Sequence, residues 1–233
     1  MDVTTKNHIV EQDRRVLQYM RRIVGSDEFI NGIERWCFWI TDDKADAALE
    51  IPIIKERADL VRDLRLGKSD KSAQRLAAYP YRFREMHETT TNSLVIPSVS
   101  SENREYVPVG FVDKKTVVTN LAFVIYDCDP WIFGVVSSKM HNLWIKAVCG
   151  GLETRIRYSS ELGYNTFPFP AITDEQKKDI RNCVNQVIAA REEEFDKTYA
   201  QMYKKDEMSD DLRFAHSMLD LQIERCYRDE PFV

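Results

Sequence analysis

The sequence has no apolar run approaching the roughly 20 residues that a membrane-spanning helix needs. Its opening residues, Met1-Asp2-Val3-Thr4-Thr5-Lys6, lack the apolar segment of a secretory signal. It has no Cys-x-x-Cys pair. The five cysteines, Cys37, Cys128, Cys149, Cys183 and Cys226, are scattered and odd in number, which argues against a zinc site and a disulfide framework and for a reducing, cytoplasmic setting. His87-Glu88 lacks the second histidine of a metalloprotease helix. No Ser/His/Asp or Cys/His grouping is local enough to nominate a catalytic site, and there are no internal repeats or low-complexity tracts. Spacing alone therefore gives no catalytic residue and no metal ligand.

Nor is the chain basic. Its net charge of −5 is unusual for a nucleic-acid binder taken whole, but the charge is unevenly placed. Residues 171–233 carry the entire excess of acid, and the first 170 residues are balanced. Within them, Lys55, Arg57, Arg62, Arg65, Lys68, Lys71, Arg75, Arg82 and Arg84 face only Glu56, Asp59, Asp63 and Asp70 over residues 55–84. Such a stripe is compatible with phosphate contact and equally with a solvated helix face.

A hydrophobic content of 43% is ample for a core. Residues 8–24 read as one helix with Ile9, Val16, Met20 and Ile23 inward, followed by a turn at Gly25-Ser26-Asp27. Arg35–Ile40 reads as a buried strand whose Trp36 and Trp39 serve the core. Ile53–Leu66 reads as a helix ending at Gly67, with a short helix over Ser69–Ala78. Tyr81-Arg82-Phe83-Arg84 alternates aromatic and basic residues. As a strand it puts Arg82 and Arg84 on one face, suited to phosphate or to the O6 and N7 edge of guanine; an ordinary strand with a solvated face is the alternative. Ser93–Ile96 is a strand, residues 98–105 a polar loop, and Tyr106–Val112 an edge strand because of Pro108.

The apolar run Val117–Tyr126 suits a buried central strand. Asp129 then caps a helix with Pro130 in its first position, and Ile132, Phe133, Val136, Met140, Leu143 and Trp144 recur at helical spacing up to a stop at Gly150. Arg155 and Arg157 follow with strand alternation. After Pro170 the composition changes. Thr173-Asp174-Glu175-Gln176 is a capping box opening one long amphipathic helix with Ile180, Val184, Val187, Ile188, Phe195 and Met202 on its apolar stripe, and Ser209 caps a second; together they make an antiparallel hairpin. The letters Asp174-Glu175-Gln176-Lys177 mimic a nuclease motif, but that motif sits on strands. Strands without regular βαβ spacing indicate an α+β fold: a mixed or antiparallel sheet with packed helices over residues 1–170, then a C-terminal helical hairpin over 171–233.

Several of these segments also carry a resemblance. They are Arg35-Trp36-Cys37-Phe38-Trp39, the span Pro97–Phe111, Ser137-Ser138-Lys139-Met140-His141-Asn142-Leu143-Trp144, Arg157-Tyr158-Ser159, Tyr164-Asn165-Thr166-Phe167-Pro168-Phe169-Pro170 and Ala215-His216-Ser217-Met218-Leu219-Asp220. In content and order they resemble the target recognition domain and C-terminal helical domain of the MmeI-like (type IIL) adenine-specific DNA methyltransferase and restriction enzymes. Phe169 departs from the family, which more often has Trp there.

The resemblance implies a DNA sequence-recognition module of a restriction–modification enzyme. An upstream domain would flip an adenine out of the duplex and methylate it, while this chain holds double-stranded DNA and reads neighbouring base pairs. S-adenosylmethionine, with magnesium as a candidate second cofactor, would belong to the upstream domains. The glycine-rich cofactor loop and the Asn-Pro-Pro-aromatic segment of a methyltransferase are both absent here, so the chain is expected to be a C-terminal piece with Met1 not the natural start. The expected DNA face combines Arg82 and Arg84, the loop residues Ser100, Ser101, Asn103 and Arg104, and Lys139, Arg155 and Arg157. Structural ion pairs of Arg104 and Arg157 with Glu102, Glu105 or Glu153 are the alternative. Two other functions stay open: a free-standing specificity subunit that docks a separate methyltransferase through the hairpin, and an enzyme using His141 or His87. A hydrogen-bonded structural His141 orienting Trp144 is the plainer reading of that histidine.

Because both methyltransferase motifs are missing, the purified chain is expected to transfer no label from S-adenosylmethionine to mixed-sequence duplex. Transfer that scales with the purified chain would overturn this.

Overall fold

The computed structural model describes residues 1–152 and 155–228. In chain order its helices are α1 (Val3–Gln12), α2 (Ser26–Asn31), α3 (Ala45–Leu49), α4 (Pro52–Leu66), α5 (Lys71–Arg75), α6 (Pro130–Ser137), α7 (Lys139–Val148), α8 (Asp174–Glu193), α9 (Tyr199–Met202) and α10 (Asp210–Glu224). Its strands are β1 (Met20–Val24), β2 (Trp36–Phe38), β3 (Ser93–Pro97), β4 (Val99–Ser100), β5 (Gly110–Val112), β6 (Val117–Val118), β7 (Ala122–Ile125), β8 (Gly151–Leu152) and β9 (Arg155–Arg157). The chain divides into two compact units, one of residues 1–23, 34–88 and 115–117, the other of residues 24–33, 89–114 and 118–233. None of the described helices is long and apolar enough to cross a membrane.

In the first unit Asp13 ends α1 where one continuous helix was expected. Its backbone is extended (φ −152°), and its carboxylate accepts the Arg15 N–H at 3.0 Å, capping a 3-10 turn over Arg14–Tyr19. The chain then becomes β1, antiparallel to β2 with Arg21 opposite Cys37. The spacing of Val16, Met20 and Ile23 is helical, and pairing with β2 overrides it in favour of strand from Met20 onwards. The helix α4 starts with Pro52, one residue before the expected Ile53, and ends at Gly67 as expected, burying Ile54 and Ala58. Ile9, Val16, Tyr19, Ile40, Ala48 and Ile51 complete this core, and Trp39 is buried in a smaller cluster with Ile23.

In the second unit every described strand pair is antiparallel. The strand β3 is central between β5 and β7, and β9 is central between β4 and β8. Several expectations change here. Gly25 precedes α2 rather than sitting in a turn; its N–H donates to Glu28 Oε2 at 2.8 Å, and Gly32 closes the helix in the left-handed region (φ 66°). The run Val117–Tyr126 is two strands, β6 and β7, with a turn at Asn120-Leu121 between them. The helix after Asp129 breaks at Ser138, which turns extended (ψ 155°) and whose hydroxyl accepts the His141 N–H to cap α7. That second helix ends through Cys149, in extended conformation, and Gly150 is not left-handed. The loop of residues 98–105 contains β4, and the edge strand after Pro108 is shorter than expected, beginning at Gly110.

The caps written in the sequence are in place. Thr173 and Gln176 form the capping box of α8 (3.0 and 3.2 Å), and Ser209 caps α10. The two helices run antiparallel: Gln176 near the start of α8 reaches the Arg225 carbonyl past the end of α10, while Ser209 bonds Glu194 at the opposite end. Phe195, expected on the apolar stripe, lies past α8 and is 87% exposed, and Met202 belongs to α9. Ile180, Val184, Leu212, Leu219 and Phe133 are fully buried where α6 packs on the hairpin. Gly134 permits that approach. A Cβ there would collide with Ile180 and lie 3.2 Å from Leu219 and 3.3 Å from Val184.

Gly134→Ala is therefore expected to destabilise the fold by about 1–3 kcal/mol, the range for overpacking a filled core. Denaturant unfolding measures it. An unchanged midpoint would mean the helices part at no cost.

Candidate nucleic-acid interface

Strand β9 has the period-two pattern that the sequence indicated. Ile156 is buried, and Arg155 and Arg157 are exposed on either side of it. The strand is held on both edges, with Val99 opposite Arg157 and Gly151 opposite Ile156. Tyr158 continues the ladder, its N–H donating to the Ser98 carbonyl at 2.9 Å. Arg157 borders an open groove of about 700 Å³ with Ser98, Phe123, Ser159 and Glu161, and makes no side-chain ion pair or hydrogen bond among the described residues. Glu153, weighed as its partner, lies outside the described residues.

The loop residues fare differently. Ser100 is 4% exposed, and its hydroxyl accepts from Arg104 Nη1 at 3.3 Å. Ser101 is half-buried and its hydroxyl accepts the Asn103 N–H at 3.3 Å, while the Asn103 side chain is exposed. Arg104 is not paired with Glu102 or Glu105. Glu105 instead takes Lys139 Nζ (3.1 Å) and the Arg213 guanidinium, and its carbonyl accepts from Asn142. Lys139 is thus tied to the loop it was expected to flank.

Arg82 and Arg84 lie in the first unit, the other seven candidates in the second. The segment from Tyr81 to Arg84 is a turn and bend, not a strand, so alternation does not put the two arginines on one face. Each has its own carboxylate. Arg82 meets Asp42 at 2.7 Å, where Tyr81 also donates its hydroxyl at 2.9 Å, and Arg84 meets Asp70 at 3.1 Å. In the basic stripe, Arg65 is also committed, donating to the carbonyls of Leu76, Tyr79 and Arg82. These arginines close turns through partners 11 to 40 residues away.

The polar groups that spacing alone missed are buried or half-buried. His141 is fully buried, with Nε2 3.0 Å from the Tyr158 hydroxyl and its ring edge-on to Phe167. Its partner is Tyr158 rather than Trp144, which meets the same Phe167 ring. Burial lowers its pKa to about 4. His87 is exposed, with Nε2 3.8 Å from Glu85. Asp220 Oδ1 accepts the N–H of Lys139, the first residue of α7, at 2.7 Å, and Oδ2 accepts the Tyr106 hydroxyl at 2.7 Å. Burial raises the Asp220 pKa, and these two bonds oppose the rise. One turn earlier on the same face, His216 Nε2 lies 2.7 Å from Tyr203 Oη, which accepts from Arg191 Nε at 2.6 Å. With Arg191 already donating to Tyr203 Oη, the arrangement that also uses the Tyr203 hydrogen sends it to His216 Nε2 as the acceptor nitrogen of the neutral ring. The i, i+4 spacing of His216 and Asp220 was the one signal for this pair. Among the described residues no group of three or more His, Cys, Asp or Glu is placed to hold a metal.

Residues 1–171 match the family model described as MmeI, target recognition domain, and residues 172–233 match the one described as MmeI, C-terminal domain. The chain belongs to the MmeI family. It is 39% identical over 230 residues to DNA methyltransferase A of Bacillus subtilis (strain 168), covering 99% of this chain and 26% of that protein. A solved structure, of the type IIL restriction-modification enzyme MmeI in complex with DNA, superposes with a TM-score of 0.92 at 35% identity, covering 97% of this chain and 30% of the MmeI chain. The chain thus spans under a third of the length of either relative. Its antiparallel sheets, packed helices and C-terminal hairpin are the α+β architecture expected of these two MmeI domains.

Both buried histidines are neutral in the fold, His141 at about 4 and His216 well below its ordinary value. The unfolded chain takes up these protons near pH 6.5. Stability is therefore full above that pH and falls as pH drops towards 4, by up to about 1.4 kcal/mol per pH unit for each histidine. Urea unfolding at pH 7 and pH 5 measures the loss; equal stability would show that the histidines titrate in the folded state.

Proposed function

We propose that this chain is the sequence-recognition module of a longer adenine-specific DNA methyltransferase of a restriction–modification system. The match of the whole chain to the MmeI target recognition and C-terminal domains carries the reading. The relative that is a DNA methyltransferase and the MmeI structure in complex with DNA support it. The parent's other domains would hold S-adenosylmethionine, flip the adenine and transfer the methyl group, with magnesium needed if an endonuclease is fused. Docking this chain beside an upstream methyltransferase domain belongs to the same proposal.

The DNA face of this reading is Arg82, Arg84, Ser100, Ser101, Asn103, Arg104, Lys139, Arg155 and Arg157. Their surroundings divide the work. Arg157, outside any described ion pair and beside hydroxyls and an aromatic ring, suits direct contact with a base edge or phosphate. Arg82, Arg84 and Lys139, each on a carboxylate, can turn to DNA only by giving up that partner. Ser100 acts through Arg104.

Alanine at Arg157 is expected to weaken duplex binding markedly, while alanine at Arg84, an exposed pair worth at most about 1 kcal/mol to the fold, leaves stability nearly unchanged. A base-reading arginine costs ~1–3 kcal/mol and relaxes choice at one position; a phosphate contact weakens all sequences alike. Affinity across a duplex library separates the two. Wild-type affinity and site choice in Arg155→Ala and Arg157→Ala would remove β9 from the DNA face.

A further inference from the structure

Away from β9, a groove of about 330 Å³ is bounded by the loop Glu102–Glu105, by Lys146 in the last turn of α7, and by the connection before α10. Arg104 is half-buried there. Its guanidinium has the Ser100 hydroxyl at 3.3 Å and no carboxylate among the described residues. A half-buried cation without a counter-ion is costly, and burial lowers the Arg104 pKa accordingly. Lys146 and Lys205 border the same groove, exposed and without an ion pair among the described residues.

The remaining cations of the groove are engaged, Arg213 with Glu105 and Lys204 with Glu207. Glu102 and Asp206 also line it, outside any described ion pair. Three uncommitted cations against two carboxylates leave a single net positive charge, which balances the one negative charge of a phosphodiester. The guanidinium and the two ammonium groups are all hydrogen-bond donors, as phosphate oxygens require, and the Asn103 amide NH2 at the rim can add another.

We propose that this groove takes one backbone phosphate of duplex DNA, held by Arg104, Lys146 and Lys205. The proposal rests on the DNA-recognition reading above and adds to it a contact that grips without reading. It brings a residue of the acidic C-terminal region, Lys205, onto the DNA. A phosphate held here fixes the register of the duplex relative to the β9 groove and carries no sequence information of its own.

The test uses the full chain, fluorescence anisotropy with labelled mixed-sequence duplexes, and a salt series. The variants are Arg104→Met, Lys146→Met and Lys205→Met, with Lys178→Met, an exposed lysine on α8 outside the groove, as control. Each groove variant is expected to weaken every duplex alike and to flatten the plot of log affinity against log salt by about one unit, while the control keeps the wild-type slope. Lys146 and Lys205 are exposed, so their variants keep the result interpretable if Arg104→Met fails to fold. Wild-type binding with unchanged slopes in both lysine variants overturns the phosphate site and leaves the recognition reading intact. Losses confined to some sequences overturn it as well, because they mark base reading. Absence of wild-type binding to any duplex at low salt overturns the recognition reading, and the phosphate site with it.

Discussion

The second unit depends on one half-buried carboxylate. Asp220 accepts the first N–H of α7 and the Tyr106 hydroxyl, so helix α10, helix α7 and the loop ahead of β5 meet at two oxygen atoms. A helix N-terminus leaves amide hydrogens without internal partners and carries a partial positive charge, and a carboxylate there meets both needs. Tyr106 also stacks on His216 at 4.2 Å, one turn from Asp220 on the same helix. The next residue back, Glu105, bonds Lys139 and Arg213 from the two helices. The polar loop of residues 101–105 is therefore anchored at its end by both helices. Its sequence, rich in Ser, Glu and Asn, has no apolar residue with which to pack itself down.

The chain shows which kinds of information a sequence holds locally. Caps were legible, because Asp129, Thr173 and Ser209 satisfy amides two or three residues away. The exposed–buried–exposed order of Arg155, Ile156 and Arg157 was legible for the same reason, since strand periodicity needs no knowledge of the partner. The break at Ser138 was not. A serine inside an apolar helical pattern can point outward or cap a new helix, and a carboxylate 81 residues away takes the amide freed beside it. In the run from Val117 to Tyr126 the one mark of the turn is Asn120, and the β-branched residues on either side of it masked that mark.

The candidate interface was legible to the same degree. Residue type picked out arginines, and type says nothing about counter-ions. Asp42 and Asp70 are distant in sequence from Arg82 and Arg84, yet they decide that these two guanidinium groups close turns. Ser100 looked like a loop hydroxyl and is a strand residue facing inward, because β4 adds to the edge of β9. Family resemblance supplied what periodicity lacked, the order of motifs along the chain. The histidine and aspartate of its last motif prove to be interior contacts of the fold.

The Asp220 contact also constrains the order in which this unit can be completed. Its two hydrogen bonds join residues 81 and 114 positions apart, among the most non-local pairings in the chain. Contacts of such separation form late, since the loop they close must lose its entropy before the bonds can repay it. During synthesis the strands β3 to β9 and helices α6 and α7 all leave the ribosome before residue 220 does. Until then the N-terminus of α7 and the Tyr106 hydroxyl have only water as partner. The polar loop that precedes them acquires its final position as one of the last events of folding, when α10 closes over both.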